Sequence, residues 1–143
     1  MPADGALPRK GLACISTMKV LIVDDSPLIR VRLAELLADV EGIEIVAQAD
    51  NADQAVDLVI ALQPDVAIVD VRMPGRSGMD LIEDVKKTRQ PPKIIMLTNF
   101  PTPENREKCL SQGADYFFDK SSEIEKVLTV LKELMQESRG RQH

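Results

Sequence analysis

Apolar positions along this chain follow two alternating patterns. The runs Lys19-Val20-Leu21-Ile22-Val23, Val66-Ala67-Ile68-Val69 and Ile94-Ile95-Met96-Leu97 are short, largely β-branched and apolar at successive positions, as strands buried on both faces require. Ile43 to Ala47 and Tyr116-Phe117-Phe118-Asp119 read as two further strands. Between these runs the spacing becomes helical. Ser26 caps a first helix with Pro27 in its first turn, and Ile29, Leu33 and Leu36 form its inner face as far as about Asp39. Asn51 or Asp50 opens a second helix that reaches Leu62, ahead of Pro64. A loop from Gly75 to Gly78 precedes a third helix, Met79 to Lys87, and Pro91-Pro92 enforce a break before the fourth strand. Thr102-Pro103 start a fourth helix that Gly113 ends, and Ser122 with Glu125 reads as a capping box opening the last helix.

Strands alternating with helices through five rounds predict an α/β fold, a doubly wound five-stranded parallel sheet of order 2-1-3-4-5 between two helical layers. That order makes the first and third strands neighbours. At 143 residues the chain has room for one core, so a single domain is expected over residues 18–138, with a disordered N-terminal extension over 1–17 and a flexible tail over 139–143. Met18, immediately before the first strand, reads as a candidate start. Cys14 and Cys109 are too few and too far apart for a disulfide framework or a zinc cluster. The opening residues lack the hydrophobic core of a signal peptide, and no apolar run approaches the length of a membrane span, which points to the cytoplasm. A formal charge of −5 argues against direct nucleic-acid binding.

The strand ends carry the candidate chemistry. Asp24 and Asp25 follow the first strand and Asp70 follows the third, so an acidic cup is expected at the carboxyl edge of the sheet, where open α/β folds bind ligands. Any single aspartate there would often be only a cap or a turn residue. Three together repel unless a cation relieves them, and an all-oxygen donor set suits Mg2+. Thr98 and Lys120 end the fourth and fifth strands and bring a hydroxyl and an ammonium to the same edge. With them Asp70 reads as a nucleophile forming an acyl phosphate, Lys120 as a charge on phosphoryl oxygens and Thr98 as a hydrogen-bond donor.

The segments VDDS at 23–26, VDVRMPGRSG at 69–78, LT at 97–98 and GADYFFDK at 113–120 resemble the receiver domain of bacterial response regulators of two-component systems. The resemblance implies the flavodoxin-like order shared by the chemotaxis receiver. It makes Asp70 the phosphoacceptor, with Asp25, Asp70 and the Arg72 backbone carbonyl binding Mg2+ directly and Asp24 mainly through water. Thr98 and Phe117 would be the switch residues. The implied protein is a stand-alone response regulator, not an enzyme beyond its own phosphorylation and dephosphorylation. It would take a phosphoryl group from a histidine kinase or phosphotransfer protein and change its contacts with a downstream protein through helix 4, strand 5 and helix 5, as a monomer or a phosphorylation-dependent dimer.

Departures from the family pattern add expectations. Ser121 stands where proline usually follows the lysine, so a trans peptide is expected there. Arg72 and Asn99 are bulky residues bordering the approach of water to the phosphorus, which predicts slow hydrolysis, and Phe100 is expected to face a partner. The fourth helix offers only Cys109 and Leu110 as apolar anchors and should be the weakest. Two other classes compete with this reading. An aspartate-nucleophile phosphatase would want a second acid two residues after Asp70, where Arg72 stands. A receiver-like scaffold that is never phosphorylated is disfavoured by the intact acids, hydroxyl and lysine.

Overall fold

The computed structural model describes residues 17–140 apart from Pro74 and Arg76. The expected extension therefore lies outside the described residues except for Thr17, as does the tail beyond residue 140. Five strands and five helices alternate: β1 (Met18–Val23), α1 (Pro27–Ala38), β2 (Ile43–Ala49), α2 (Ala52–Leu62), β3 (Val66–Asp70), α3 (Gly78–Lys86), β4 (Lys93–Thr98), α4 (Pro103–Gln112), β5 (Tyr116–Asp119) and α5 (Lys126–Gly140). The strands pair in parallel in the order β2-β1-β3-β4-β5, as the alternation of elements predicts.

Because strand side chains alternate between faces, the three central strands feed two cores. Leu21, Val23, Ala67, Val69, Ile94 and Met96 pack against α2, α3 and α4 on one face. Val20, Ile22, Val66, Ile68, Ile95 and Leu97 pack against α1 and α5 on the other. Full burial of each large aliphatic side chain contributes about 1.5–3 kcal/mol, so the strands whose ends carry Asp24, Asp25, Asp70 and Thr98 are held by burial on both faces.

The caps of α1, α2 and α4 form as the sequence suggests, and Ser77, inside the expected loop, caps an α3 that starts at Gly78. Ser26, Asn51, Ser77 and Thr102 each accept a backbone N–H from the residue three positions on. Leu37 rather than Leu36 is the second fully buried residue of α1, and β2 continues two residues past Ala47. The last helix departs from expectation. Ser122 and Glu125 form no capping box, and α5 begins at Lys126. The Asp119 carboxylate accepts from both the backbone N–H and the hydroxyl of Ser121, and Glu123 accepts the Asp119 N–H at 2.8 Å. These local bonds give the backbone an alternative to a helix. At its far end α5 continues through Gly140, two residues into the stretch read as a tail. The peptide after Lys120 is trans.

Candidate functional site

Strand register assembles the site. Val23 lies beside Val69, Asp70 beside Leu97, and Thr98 beside Asp119. The next residues, Asp24 and Asp25 after β1 and Lys120 after β5, therefore reach the same carboxyl edge as Asp70 and Thr98. Among the described residues, the buried polar or charged side chains are Asp24, Asp70, Thr98 and Lys120. Burying such groups is costly unless they are paired, and all four belong to one constellation.

Asp24, Asp25 and Asp70 each bring a carboxylate oxygen to within 4.8 Å of the others. Asp25 is exposed, whereas Asp24 and Asp70 are buried. The Lys120 ammonium sits 2.8 Å from Asp24 Oδ2 and 3.1 Å from Asp70 Oδ2. This corrects the picture of an uncompensated acidic cup, because the protein supplies its own cation between the two buried acids. Its place at a strand end brings Lys120 to this edge, but the strand pattern does not specify its pairing with Asp24 and Asp70.

The electrostatics follow from this packing. Burial pushes the Asp70 carboxyl up to about 6, the charge of Asp24 pushes the same way, and Lys120 opposes both. Burial by itself pulls the Lys120 ammonium down, but its bonds to Asp24 and Asp70 outweigh that and leave it above the usual lysine range. A carboxylate held this way is an oxygen nucleophile next to a fixed positive charge, an arrangement suited to receiving an anionic group.

The remaining predicted residues take distinct places. Thr98 is fully buried, and its hydroxyl oxygen accepts the Phe100 N–H at 2.9 Å. Phe117 packs among the core residues on the α4 side, with the Arg106 guanidinium 6.0 Å from its ring centre and donating to its carbonyl at 3.3 Å. Phe118 turns to the opposite face, its ring stacked with Tyr116 at 6.3 Å, as strand alternation requires. The Arg72 N–H points at Asp70 Oδ1, 3.3 Å away, while its guanidinium lies 3.9 Å above the centre of the Phe100 ring.

Gly78, which the sequence places only at the end of a loop, has a structural role. A side chain there would place its Cβ 2.1 Å from the Asp70 carbonyl oxygen. The chain returns this tightly because the Gly78 N–H bonds to the Val71 carbonyl at 2.8 Å, so only glycine lets α3 start directly beside Asp70. The SG dipeptide at 77–78 was the available signal.

A family profile for the response regulator receiver domain matches residues 20–132. The chain belongs to this family. The receiver is 35% identical over 130 residues to the transcriptional regulatory protein PdtaR of Mycobacterium tuberculosis, an alignment covering 91% of this chain and 58% of that protein. The chain thus spans little more than half the length of the curated relatives it matches. In structure it resembles the signal receiver domain of the putative response regulator NarL from M. tuberculosis, with a TM-score of 0.78, 27% identity and coverage of 85% of this chain and 98% of that one. It also resembles a chain of the CheX-CheY-BeF3-Mg complex from Borrelia burgdorferi, with a TM-score of 0.76, 25% identity and coverage of 83% and 90%. Receivers act in two-component signalling through kinases or phosphotransfer proteins and downstream targets. Among the described residues no helix of this receiver is long and apolar enough to cross a membrane.

Proposed function

We propose that the domain over residues 18–138 is a phosphorylation switch that receives a phosphoryl group on Asp70. The observation that carries this reading is the buried Asp70–Lys120–Asp24 constellation, with Thr98 at the end of the neighbouring strand. An Asp70 carboxylate oxygen attacks the phosphorus of a phosphohistidine on a kinase or phosphotransfer protein. The new O–P bond forms as the N–P bond breaks, the electron pair leaving on the imidazole nitrogen. Lys120 faces the incoming phosphoryl oxygens, and the Thr98 hydroxyl turns from its contact with Phe100 to donate to one of them.

The donor set fits magnesium. The three clustered carboxylates are hard oxygen ligands, and the exposed Asp25 is open to an ion from solvent. Asp25, Asp70 and the Arg72 carbonyl would hold it, with Asp24 acting mainly through water. When bound, the ion offsets negative charge on the phosphoryl oxygens. The Borrelia complex, which contains magnesium and a phosphoryl mimic, supports this assignment by similarity.

Output passes through the face made by α4, β5 and α5. The weakly buried α4 and the Arg106–Phe117 contact make that face the one most easily rearranged, with Thr98 and Phe117 as its switch residues. The stand-alone form stays an expectation of the sequence, given the greater length of the relatives. Incubation with acetyl phosphate and magnesium should add one phosphoryl mass to the protein. Asp70→Asn should abolish that addition, and labelling that survives the substitution refutes the assignment.

A further inference from the structure

A groove of about 540 Å³ opens between the C-terminal parts of α2 and α3. Gln63 precedes the amino end of β3 and Gln90 that of β4, whereas Asp70 and Thr98 stand at the carboxyl ends of the same strands. The groove therefore lies at the opposite edge of the sheet from the acidic site, and it shares no residue with the face made by α4, β5 and α5.

One wall of the groove is apolar and the other is cationic. Val56, Val59 and Ile60 line the α2 side, and Ile60 stands 60% exposed. Lys87 and Arg89 line the α3 side with Asp84. The four cations of this stretch are not equivalent. Lys86, in the last turn of α3, complements the helix end and bonds to Asp115 at 3.3 Å, and Lys93 lies 3.9 Å from the same carboxylate. Lys87 and Arg89 are exposed and pair with no carboxylate among the described residues. The two cations without an internal partner are the two that rim the groove. Gln63 also lines it, held in the left-handed region at φ 49 as the cap of α2. Glycine meets that geometry without strain, so an amide side chain is kept at the groove at a conformational cost.

We infer that this groove docks an acidic amphipathic helix of a partner protein, with apolar side chains three or four residues apart on Val56 and Ile60 and carboxylates facing Lys87 and Arg89. Small-molecule sites enclose most of their ligand, whereas Ile60 projects into solvent. An open apolar trough seats one face of a helix. Two unpaired cations, on a chain whose formal charge is −5, make the groove a locally basic exception that favours carboxylates and rejects basic segments. Its position leaves Asp70 and the α4, β5 and α5 face uncovered, so the inference does not depend on Asp70 being the phosphoacceptor.

The test selects a displayed library of random peptides on the full chain, with counterselection on the triple variant Ile60→Ser, Lys87→Glu, Arg89→Glu. All three positions are exposed, so the variant should fold, which circular dichroism checks; Ile60→Ser alone replaces it if it does not. Surviving peptides should carry apolar residues at helical spacing flanked by carboxylates. A synthetic copy of one should bind about tenfold more weakly to Ile60→Ser and about two- to fivefold more weakly to Lys87→Gln at low salt. It should bind Asp70→Asn and Leu28→Ser, the latter at an exposed position of α1, as it binds wild type. Survivors rich in lysine and arginine, no survivors, or equal affinity for Ile60→Ser overturn the proposal. So does a protein that sediments as a dimer until Ile60→Ser is introduced, because a second copy then fills the groove. Lost peptide binding with normal phosphoryl incorporation removes the groove alone, and lost incorporation with intact peptide binding removes the phosphoacceptor reading alone.

Discussion

Helices α3 and α4 lie on the same face of the sheet, are nearly equal in length and are capped alike, by Ser77 and Thr102. They are anchored very differently. α3 buries Gly78, Leu81, Ile82 and Val85, whereas α4 buries only Cys109. Beyond that one residue, α4 is held by polar contacts at its start and by Arg106 on the Phe117 carbonyl. The difference fits the proposed switch, in which the helix after Asp70 keeps that residue in place and the helix after Thr98 is the one that moves. Stability is thus divided between two adjacent helices by apolar burial, which polar caps do not replace.

The largest test of this contrast removes an anchor from α3. Ile82 is fully buried, so Ile82→Ala should cost about 3 kcal/mol in urea unfolding by loss of transfer energy and creation of a cavity. Leu110→Ala, at a 37% exposed position of α4, should cost less than about 1 kcal/mol. Equal costs would remove the asymmetry.

A smaller effect, of opposite sign, comes from the site between the helices. The Asp70 carboxyl titrates at about 6 in the fold against 3.8 for its ordinary value. With a raised pKa, the folded state bears an unfavourable charge above pH 6, and the penalty fades as pH falls from 6 through 3.8, below which both states are protonated. In magnesium-free buffer Asp70→Asn should therefore stabilise the protein at pH 8 by about 1–2 kcal/mol, allowing for the bond lost to Lys120. Thermal melts from pH 8 to pH 4 should show the gap closing. An Asp70→Asn protein less stable than wild type at pH 8 would mean Lys120 more than compensates the burial.

The smallest effect isolates α4. Burial pushes the Cys109 thiol up to about 11, so at pH 8 it is protonated as well as enclosed, and alkylation must wait for α4 to open. Thr102→Ala removes the cap and should raise that opening by about 1 kcal/mol, or roughly fivefold in alkylation rate. Measured on a Cys14→Ser background, a rate unaffected by the cap would show that α4 does not open as a unit. Amide exchange in α3 should be unchanged.

Much of this structure was legible in the chain because it depends on local pattern. Unbroken apolar runs marked the buried strands, cap residues marked the starts of α1, α2 and α4, and strand ends marked Asp24, Asp25, Asp70, Thr98 and Lys120. The start of α5 was misread because Ser122 and Glu125 fit a capping motif, while a competing set of bonds from Asp119 and Glu123 holds residues 120–125 in turns. Gly78 was underread because its need for glycine comes from the Asp70 carbonyl, eight residues earlier in the chain and 2.1 Å from where a Cβ would stand.

By itself the sequence determined the alternation of elements, the strand order it implies and the set of reactive side chains gathered at one edge. Burial periodicity and strand ends are properties of short segments, so no knowledge of distant neighbours was needed. Only the tertiary structure decided that Lys120 pairs with Asp24 and Asp70, that Phe117 rather than Phe118 faces α4, and that Arg72 lies on Phe100. Those choices are matters of a few ångströms between groups far apart in the chain. Charge and hydrogen-bond energies change steeply over such distances, and residue order alone does not specify them.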